Sequence, residues 1–468
     1  MEDVKENVSL HIVMFPWLAF GHMMPYLELS NSLAERGNKI SFISTPGNIK
    51  RLPKVSPNVS HLLTFIELPL PQLLPYEANA TSDVPIENHP YLKKAFDGLE
   101  SPLLHFLETS QPDWIIYDFV PHWLPPIAAK LGVPSVHFSI FNATFLSFLG
   151  PPSVYLGGEF EGALQNLEDF IVVPKWIPFD YNLAFKIYEI LKMNKSIGEN
   201  VSGVTDGFRC ASAISGCDIV AIRTCTEMES ESLSLLQNEI YRKPVIPIGL
   251  LPPRVLPEED DKWVQVKDWL DKKKTKTVVY VAFGSEVILS QEEVTELALG
   301  LELSELPFYW ALKTPVGATE VELPPGFENR VNEQGIICKG WAPQLKILSH
   351  PSVGGFLTHS GWSSVIESLS FGCPLVLLPL INDQGIVARF LEWKKITFEI
   401  PRDESDGSFT RKSVAESLRK LVIDKDGEPY RKKVEDLKEV IGDTTRHDMY
   451  IDEFARCLKE RKHNKPKI

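Results

Sequence analysis

Short apolar runs alternate with amphipathic stretches along almost the whole chain. The first apolar run, residues 11–17, has the length of a buried strand, and apolar residues at helical spacing follow through Leu27, Leu33 and Ala34. Runs of the same kind predict strands at residues 11–17, 39–45, 114–118, 135–140 and 218–225, and then at 277–285, 308–313, 335–340, 354–359 and 374–379. Because strands that alternate with helices form βαβ units, the pattern predicts doubly wound α/β domains whose parallel sheets are covered on both faces.

Two stretches interrupt the alternation. Residues 151–215 are rich in Gly, Pro and aromatic residues and predict no clear element, whereas residues 245–263 combine prolines with an acidic run and are typical of a linker. A second strand–helix series follows, and the chain ends in two charged segments with a helical pattern, 411–424 and 427–461. The boundaries that we predict are a first Rossmann-like domain over 1–248, a linker over 249–262, a second Rossmann-like domain over 263–445, and a final helix over 446–468 that packs back on the first domain.

Composition and charge exclude several classes of protein. The chain has 468 residues, of which 44% are hydrophobic and 24% charged, and this is enough apolar material for two large cores. The formal net charge of −14 argues against nucleic acid as a partner and against an anionic membrane surface. The six cysteines lack zinc-ligand spacing, and we interpret the acidic run Glu258–Asp261 as solvated charge, so no metal site is predicted. With no signal-peptide core and no apolar run of membrane-spanning length, we expect a monomeric cytoplasmic protein without stable membrane insertion.

The most informative stretch runs from Trp341 to Gln384. A strand in it ends at His359, a turn of small residues follows, and Ser364 with Glu367 fits a capping box that predicts a helix beginning there. The free N–H groups and the dipole of such a helix favour a phosphate, and His359 can add a donor. Glu367 can accept hydrogen bonds from a ribose, and Trp341 offers a face for a base. Each residue also has a structural alternative: Trp341 as a core or surface aromatic, Ser364 and Glu367 as a plain cap, and His359 as a packing residue.

The whole stretch resembles the signature box of plant family 1 UDP-glycosyltransferases. That box runs from a Trp through Pro-Gln, His, His-x-Gly-Trp, Ser, Glu, Gly-x-Pro and Pro to a terminal Asp/Glu-Gln, and all of these stand here at the family's spacing. The resemblance extends to the start of the chain and to residues 277–285. It implies a GT-B fold: two Rossmann-like doubly wound parallel-sheet domains that face each other across a cleft, the first binding an acceptor and the second a UDP-sugar.

The resemblance also implies a set of donor-binding residues. Trp341, Ala342 and Gln344 would contact the base, and Glu367 would hold the ribose. The residues implied at the diphosphate and at the transferred sugar are Ser285, His359, Gly361, Trp362, Ser363, Ser364, Asp383 and Gln384.

Two positions in the box depart from the family pattern. Ser360 stands where the family has Cys, and Ser363 stands where it has Asn. The shorter side chain puts the role of Ser363 in doubt, but the backbone donors of the turn are unaffected by either change.

A candidate general base lies near the start of the chain. His22 follows the first predicted strand, and Asp118 ends a later one, so both belong at the carboxyl edge of a parallel sheet, where ligands bind. A strand-end aspartate can fix the tautomer of an imidazole, whose other nitrogen then accepts a proton from a hydroxyl. A purely structural role for His22 is the alternative. The resemblance implies that the two are the family's catalytic pair in a single in-line displacement with inversion, with UDP-sugar as co-substrate and no metal or other cofactor.

The acceptor is the least defined part of the prediction. Residues 15–22 resemble the subgroup that adds a sugar to an existing glycoside of a terpenoid or flavonoid, and the ending Asp383-Gln384 favours UDP-glucose over UDP-rhamnose. A small apolar or glycosylated acceptor would contact Phe119, His122 and Phe141, although core packing explains these side chains equally well. One rival function is a sugar-nucleotide epimerase, but no G-x-G-x-x-G follows the first strand. The other is a UDP-sugar-binding protein without catalysis.

Overall fold

The chain forms two compact units. A computed structural model describes residues 9–74, 77–158, 164, 166–180, 182–197, 201–252, 261–313, 316 and 321–463. Unit 1 comprises Met1–Ala163, Ser196–Leu251 and Thr445–Ile468, and unit 2 comprises Leu164–Lys195 and Pro252–Thr444. Residues 253–260, which are most of the predicted linker and part of the acidic run, lie outside the described residues. Residues 164–195 thus group with the second sheet, whereas the sequence assigned them to the first domain.

Each unit is built on one parallel sheet. Unit 1 has seven strands in the order β3-β2-β1-β4-β5-β6-β7, and unit 2 has six in the order β10-β9-β8-β11-β12-β13. The strands are β1 His11–Phe15, β2 Lys39–Ser44, β3 Leu63–Glu67, β4 Trp114–Tyr117, β5 Ser135–Ser139, β6 Ile219–Ile222, β7 Val245–Pro247, β8 Val278–Ala282, β9 Phe308–Leu312, β10 Gly335–Lys339, β11 Val353–Thr358, β12 Leu375–Leu377 and β13 Phe398–Glu399. Every pairing is parallel, so the predicted pair of doubly wound sheets is confirmed.

Helices connect the strands of both sheets. They are α1 Phe20–Glu35, α2 Pro46–Arg51, α3 His89–Asp97, α4 Glu100–Ser110, α5 Leu124–Leu131, α6 Ala143–Leu149, α7 Ile187–Ile197, α8 Asp206–Gly216, α9 Thr226–Leu235, α10 Asp261–Leu270, α11 Gln291–Ser304, α12 Phe327–Arg330, α13 Gln344–Leu348, α14 Trp362–Ser370, α15 Gln384–Trp393, α16 Arg411–Val422, α17 Glu428–Ile441 and α18 Thr444–His463. None of these helices in the described part of the chain is long and apolar enough to cross a membrane.

Three strands differ from the sequence-based expectation. The strand β7 lies at the start of the stretch that we predicted as a linker, and it pairs with β6 at the edge of the sheet, where Pro247 costs no ladder hydrogen bond. The strand β3 is also an edge strand, and only its first side chain is buried, so it does not form a continuous apolar run. The strand β13 has only two residues, which is too short for a pattern to predict.

The last helix completes the core of unit 1. Ile451, Phe454 and Leu458 of α18 are buried in the same apolar cluster as Ile12 and Trp114 of the central strands. The Trp114 Nε1 donates a hydrogen bond to the Leu458 carbonyl oxygen at 3.1 Å. The helix α18 therefore buries apolar side chains against the sheet whose central strand is β1.

The order of strands places a switch point in each sheet. In unit 1 the first strand, β1, lies between β2 and β4, and in unit 2 the corresponding strand, β8, lies between β9 and β11. Connections leave the carboxyl ends of the two central strands in opposite directions, which opens a crevice where ligands bind in folds of this type. The candidate residues from the sequence follow these central strands.

Candidate active site

The His22 side chain meets Asp118 at the switch point of unit 1. The strands β1 and β4 pair in register with Phe15 beside Tyr117, so the residues that follow them emerge at the same edge. The helix α1 begins at Phe20 and places His22 in its first turn. Its Nδ1 lies 2.8 Å from the Asp118 Oδ2, which is the pairing that the sequence predicted.

The Asp118 carboxylate is held in its ionised form. Only 2% of the residue is exposed, and its two oxygens accept hydrogen bonds from the backbone N–H groups of Trp17 at 3.1 Å and Phe119 at 2.8 Å. Burial alone would raise the pKa of Asp118, but the charge and hydrogen bond of His22 with these two N–H groups hold the pKa below its ordinary value. Because an ionised carboxylate only accepts, the His22 Nδ1 must donate, and in the neutral ring the lone pair is on Nε2.

Aromatic side chains surround the His22 ring. The ring centroids of Phe119 and Phe141 lie 5.8 Å and 5.9 Å from that of His22, and Phe145 packs on Phe141 at 5.2 Å. Two of the three residues predicted to contact an acceptor thus lie beside the candidate base, in an apolar setting.

The third predicted acceptor residue, His122, belongs to a different group of contacts. The buried Arg209 guanidinium donates to the His122 Nδ1 at 3.2 Å and to the Val120 carbonyl oxygen at 2.9 Å, and it pairs with both oxygens of Asp97. The His122 ring packs edge-on against Phe208. Burial first, and then the charge of Arg209, lower the pKa of His122.

In unit 2, the residues predicted at the diphosphate and the sugar follow three neighbouring strands. Ser285 comes after β8, His359 comes directly after β11, and Asp383 lies in the loop between β12 and α15. Because parallel strands end at the same edge of a sheet, these loops lie at the carboxyl edge on either side of the switch point.

The helix α14 begins earlier than the sequence predicted. Its first residue is Trp362, and its N-cap is Gly361, which has no side chain to act as a cap. The predicted capping box of Ser364 and Glu367 is therefore wrong, and both residues lie inside the helix. Glu367 instead accepts a hydrogen bond from the Gln344 Nε2 at 2.5 Å. Ser363 and Ser364 are half-buried in the first turn of α14, where backbone N–H groups favour an anion.

The His359 imidazole is packed between two glycines. A Cβ added to Gly284 would lie 3.1 Å from the ring, and one added to Gly361 would lie 2.5 Å from its Nε2. Its Nδ1 lies 3.2 Å from the Thr358 Oγ1. Burial lowers the pKa of His359 to about 4, so the ring is neutral at physiological pH. Gly284 was not predicted from the sequence, although a glycine directly after an apolar strand is a signal for close backbone approach.

The other end of the box combines an exposed tryptophan with a half-buried polar pair, Gln344 and Glu367. Trp341 is 64% exposed, which excludes the core role that the sequence left open, whereas Ala342 beside it is buried. The Gln344 Oε1 accepts from the Tyr280 hydroxyl at 3.2 Å, so Gln344 joins Tyr280 to Glu367. Tyr280 lies on the central strand and was not predicted.

Asp383 and Gln384 begin the helix α15. The Gln384 Oε1 accepts from the backbone N–H groups of Leu380 and Ile381, both at 2.9 Å. The Ser360 hydroxyl, at the position where the family has Cys, donates to the Gln384 carbonyl oxygen at 3.1 Å. The turn after β11 and the start of α15 are therefore joined by a direct hydrogen bond.

The structure offers no cluster for a metal ion within its described ranges. No group of three or more His, Cys, Asp or Glu side chains there is arranged to hold one. The charged group at the site in unit 1 is instead the Asp118 carboxylate, and the site in unit 2 has the N-terminus of α14.

Solved structures with the same fold support a common architecture. Arabidopsis thaliana UGT89C1 in complex with UDP-L-rhamnose is 22% identical and superposes with a TM-score of 0.74 over 96% of this chain and 99% of that chain. A UDP-glucosyltransferase from Polygonum tinctorium capable of glucosylating indoxyl is also 22% identical, with a TM-score of 0.74 over 97% and 99%. These neighbours identify the fold as GT-B, the fold of two Rossmann-like domains that plant UDP-glycosyltransferases adopt.

Sequence relatives identify the family. The family model described as UDP-glucoronosyl and UDP-glucosyl transferase matches residues 212–444. UDP-glycosyltransferase 91A1 of Arabidopsis thaliana is 48% identical over 98% of this chain and 99% of its own length. UDP-glycosyltransferase 91D2 of Stevia rebaudiana is 44% identical over 98% and 96%, and the soyasaponin III rhamnosyltransferase of Glycine max is 41% identical over 97% and 97%. The chain belongs to the plant family 1 UDP-glycosyltransferases, in the group numbered 91.

Membership defines the general reaction. The protein is an enzyme that transfers a sugar from a UDP-sugar to a small plant metabolite. Enzymes of this family use UDP-sugar donors without a metal cofactor.

Proposed function

We propose that this enzyme transfers glucose from UDP-glucose, with inversion at the anomeric carbon, to a hydroxyl of a terpenoid or flavonoid glycoside. The observation that carries the proposal is the 2.8 Å hydrogen bond between the His22 Nδ1 and the Asp118 Oδ2. An alcohol is a weak nucleophile, and a neutral imidazole with its lone pair on Nε2 is the base that this reaction requires.

The proposed chemistry in unit 1 uses the pair of side chains. The His22 Nε2 takes the proton of the acceptor hydroxyl while the acceptor oxygen forms its bond to the anomeric carbon. Asp118 keeps the ring in the correct tautomer and stabilises the imidazolium that forms. Phe119 and Phe141, beside the His22 ring, are proposed to contact the apolar part of the acceptor.

The proposed chemistry in unit 2 stabilises the leaving group. The bond between the anomeric carbon and the diphosphate oxygen breaks, and the electron pair leaves with UDP. The N-terminus of α14, whose N-cap is the glycine Gly361, supports a role in holding the diphosphate, because backbone N–H groups stabilise negative charge. The residues proposed to share this role are Ser285, His359, Gly361, Trp362, Ser363 and Ser364.

The remaining donor contacts follow the order of the box. Trp341 is exposed and offers a face on which uracil can stack, with Ala342 and Gln344 at the edge of the base. Glu367 is proposed to accept hydrogen bonds from the ribose. Asp383 and Gln384 are proposed to contact the hydroxyls of the transferred sugar.

A second candidate donor is UDP-rhamnose. A relative from Glycine max that is 41% identical is named a rhamnosyltransferase, and the two donors differ at the sugar hydroxyls. The two candidates predict different products, since glucose adds a hexose to the acceptor and rhamnose adds a deoxyhexose.

One experiment tests the reaction and the base together. The purified enzyme is incubated with UDP-glucose or UDP-rhamnose and a panel of phenolic and terpenoid aglycones and glycosides, and products are followed by mass and by the anomeric configuration. We expect a gain of one hexose with inversion, on glycosides more than on aglycones. The variant His22→Ala should lose transfer by at least about 10³-fold while UDP binding persists.

The control and the contradicting results are direct. His105→Ala removes an exposed histidine of the same unit and should leave turnover unchanged. Near-normal turnover of His22→Ala would show that another group is the base. Binding of UDP-glucose by the wild type without transfer to any glycoside of the panel would contradict the proposed acceptor.

A further inference from the structure

A buried ion pair fastens the helix α7 to unit 2. This helix up to Lys195 belongs to the segment Leu164–Lys195, which the fold groups with the second sheet. The Arg389 Nη2, from α15, donates to the Glu189 Oε2 at 2.8 Å. Glu189 is 5% exposed and Arg389 is 9% exposed, so both charges have left water. Such a pair is uncommon because desolvation costs several kcal/mol per ion.

Other contacts extend the pair into a small network. The Glu189 Oε2 also accepts from the Lys186 backbone N–H at 2.8 Å, and the Lys186 Nζ donates to the Glu399 Oε2 at 3.2 Å. The Arg389 Nη1 lies 4.0 Å from the Glu399 Oε1. The side chains of Glu189 in α7, Arg389 in α15 and Glu399 in the last strand, β13, thus alternate in charge.

The network touches the backbone next to the proposed sugar contacts. Gly385 follows Gln384 in the first turn of α15. A Cβ at Gly385 would lie 2.6 Å from the Glu189 Oε2 and 2.7 Å from the Arg389 Nη1. A glycine is a poor helix residue, by about 1 kcal/mol relative to alanine. Its presence here is explained by the close approach of the Glu189 carboxylate to the helix backbone.

The network is not arranged for the highest stability. The Glu189 Oε1, the Arg389 Nη1 and the Glu399 Oε1 are buried and have no hydrogen-bond partner. A partly satisfied buried ion pair stabilises less than an apolar cluster of the same volume, and its best-attested use is to fix one arrangement against others. In this protein the Glu189–Arg389 ion pair lies against the first turn of α15.

We propose that Glu189 and Arg389 are positioning residues for the donor sugar. The pair sets the start of α15, and with it the placement of Asp383 and Gln384 against the sugar hydroxyls. This inference rests on the proposed function, which assigns the sugar contacts to Asp383 and Gln384. It adds that a residue from a segment far outside the signature box controls how the sugar half of the donor is bound.

The test compares the two halves of the donor. In Glu189→Gln the shape is kept and the charge is lost. We expect the dissociation constant for UDP-glucose and the KM for UDP-glucose to rise about tenfold, because small displacements of sugar contacts are costly. The dissociation constant for UDP, which has no sugar, should change by less than about twofold. Arg389→Lys keeps the charge at this position and should fall between wild type and Glu189→Gln.

A matched control lies on the same helix. Lys192 makes an exposed ion pair with Glu293 at 3.1 Å, and Lys192→Gln should leave both dissociation constants unchanged. Partial unfolding of a variant lowers the active concentration for both ligands equally, so the ratio of the two constants isolates positioning from stability.

The outcomes separate this inference from the proposed function. Equal effects of Glu189→Gln on UDP and UDP-glucose, or no effect on either, would overturn the positioning role while wild-type transfer leaves the proposed function intact. Absence of transfer by the wild type would overturn the proposed function, and the ratio of binding constants would still decide whether Glu189 acts on the sugar half.

Discussion

The two units of this enzyme each place a histidine at the switch point of a parallel sheet, in opposite electrostatic settings. His22 of unit 1 lies 2.8 Å from the buried, ionised carboxylate of Asp118. His359 of unit 2 has a hydroxyl neighbour, Thr358, and lies between two glycines, and burial lowers its pKa to about 4. The same side chain at the same kind of place thus has an ionised neighbour in one unit and a neutral neighbour in the other.

The difference fits the roles that we propose for the two rings. A general base acquires a proton during the reaction, and a carboxylate partner stabilises the imidazolium that results. A ring that binds a diphosphate throughout the reaction cycle does not have to gain or lose a proton. A neutral ring can keep its hydrogen bond to the diphosphate in a single protonation state. The comparison predicts that the two histidines respond differently to loss of their neighbours and to pH.

The largest effect is expected from Asp118→Asn. An amide can donate to the His22 Nδ1, which would move the ring proton to Nε2 and remove the lone pair that the proposed mechanism requires. We expect kcat to fall by about 10³-fold, with the dissociation constant for UDP unchanged. Steady-state kinetics and calorimetric titration of UDP measure the two quantities.

A nearby aspartate provides the control for this change. Asp113 accepts a hydrogen bond from the His11 backbone N–H at the start of the same sheet, and Asp113→Asn should leave kcat within about threefold of wild type. A similar loss of kcat in both variants would indicate a general weakening of unit 1.

A smaller effect is expected when His359 is replaced by phenylalanine. The ring volume is kept and the hydrogen-bonding nitrogens are lost, so kcat/KM for UDP-glucose should fall by about 10²-fold. In the wild type, UDP-glucose binding should be flat between about pH 5 and pH 8, because the His359 ring stays neutral there. A rise in affinity on acidification through this range would show that the ring binds as a cation and would reverse the comparison.

A weaker effect is expected at the exposed end of the box. Trp341→Ala removes a stacking face and should raise the KM for UDP-glucose about tenfold, with Trp341→Phe in between. Trp393→Ala removes another exposed tryptophan of unit 2 and serves as the control. Equal effects of the two alanine variants would contradict a role for Trp341 in stacking on the base.

Much of the fold was accessible from periodicity alone. The apolar runs predicted the central strands of both sheets, because buried parallel strands are apolar on both faces. The strands that escaped were β3 and β7 at one sheet's edges and the two-residue β13, whose patterns are mixed or too short. The segment 164–195 also escaped, because its attachment to unit 2 depends on contacts such as Glu189 with Arg389, which are about 200 residues apart in sequence.

The candidate site was predicted unevenly. The pairing of His22 with Asp118 follows from two strand ends that the sheet brings together, and the structure has this contact. The capping box failed because Ser364 and Glu367 have the right spacing, but Glu367 forms a hydrogen bond with Gln344 of another element. Local spacing cannot reveal a competing partner from a distant part of the chain.

The smallest expected effect is on stability, and it separates the two sites by pH. The pKa of His359 falls from 6.5 in the unfolded chain to about 4 in the fold, so between these values the unfolded state binds more protons and stability falls as the pH falls. The pKa of Asp118 lies below 3.8 in the fold, so its contribution is present above pH 3.8 and is lost only as the pH falls through that lower value. On acidification from pH 6.5, the melting temperature of wild type should therefore fall relative to that of His359→Phe, whereas it should not fall relative to that of Asp118→Asn above about pH 4, because Asp118 stays ionised beside His22. Thermal unfolding followed by circular dichroism at several pH values measures both differences, and a constant gap between wild type and His359→Phe would contradict a desolvated, neutral ring in unit 2.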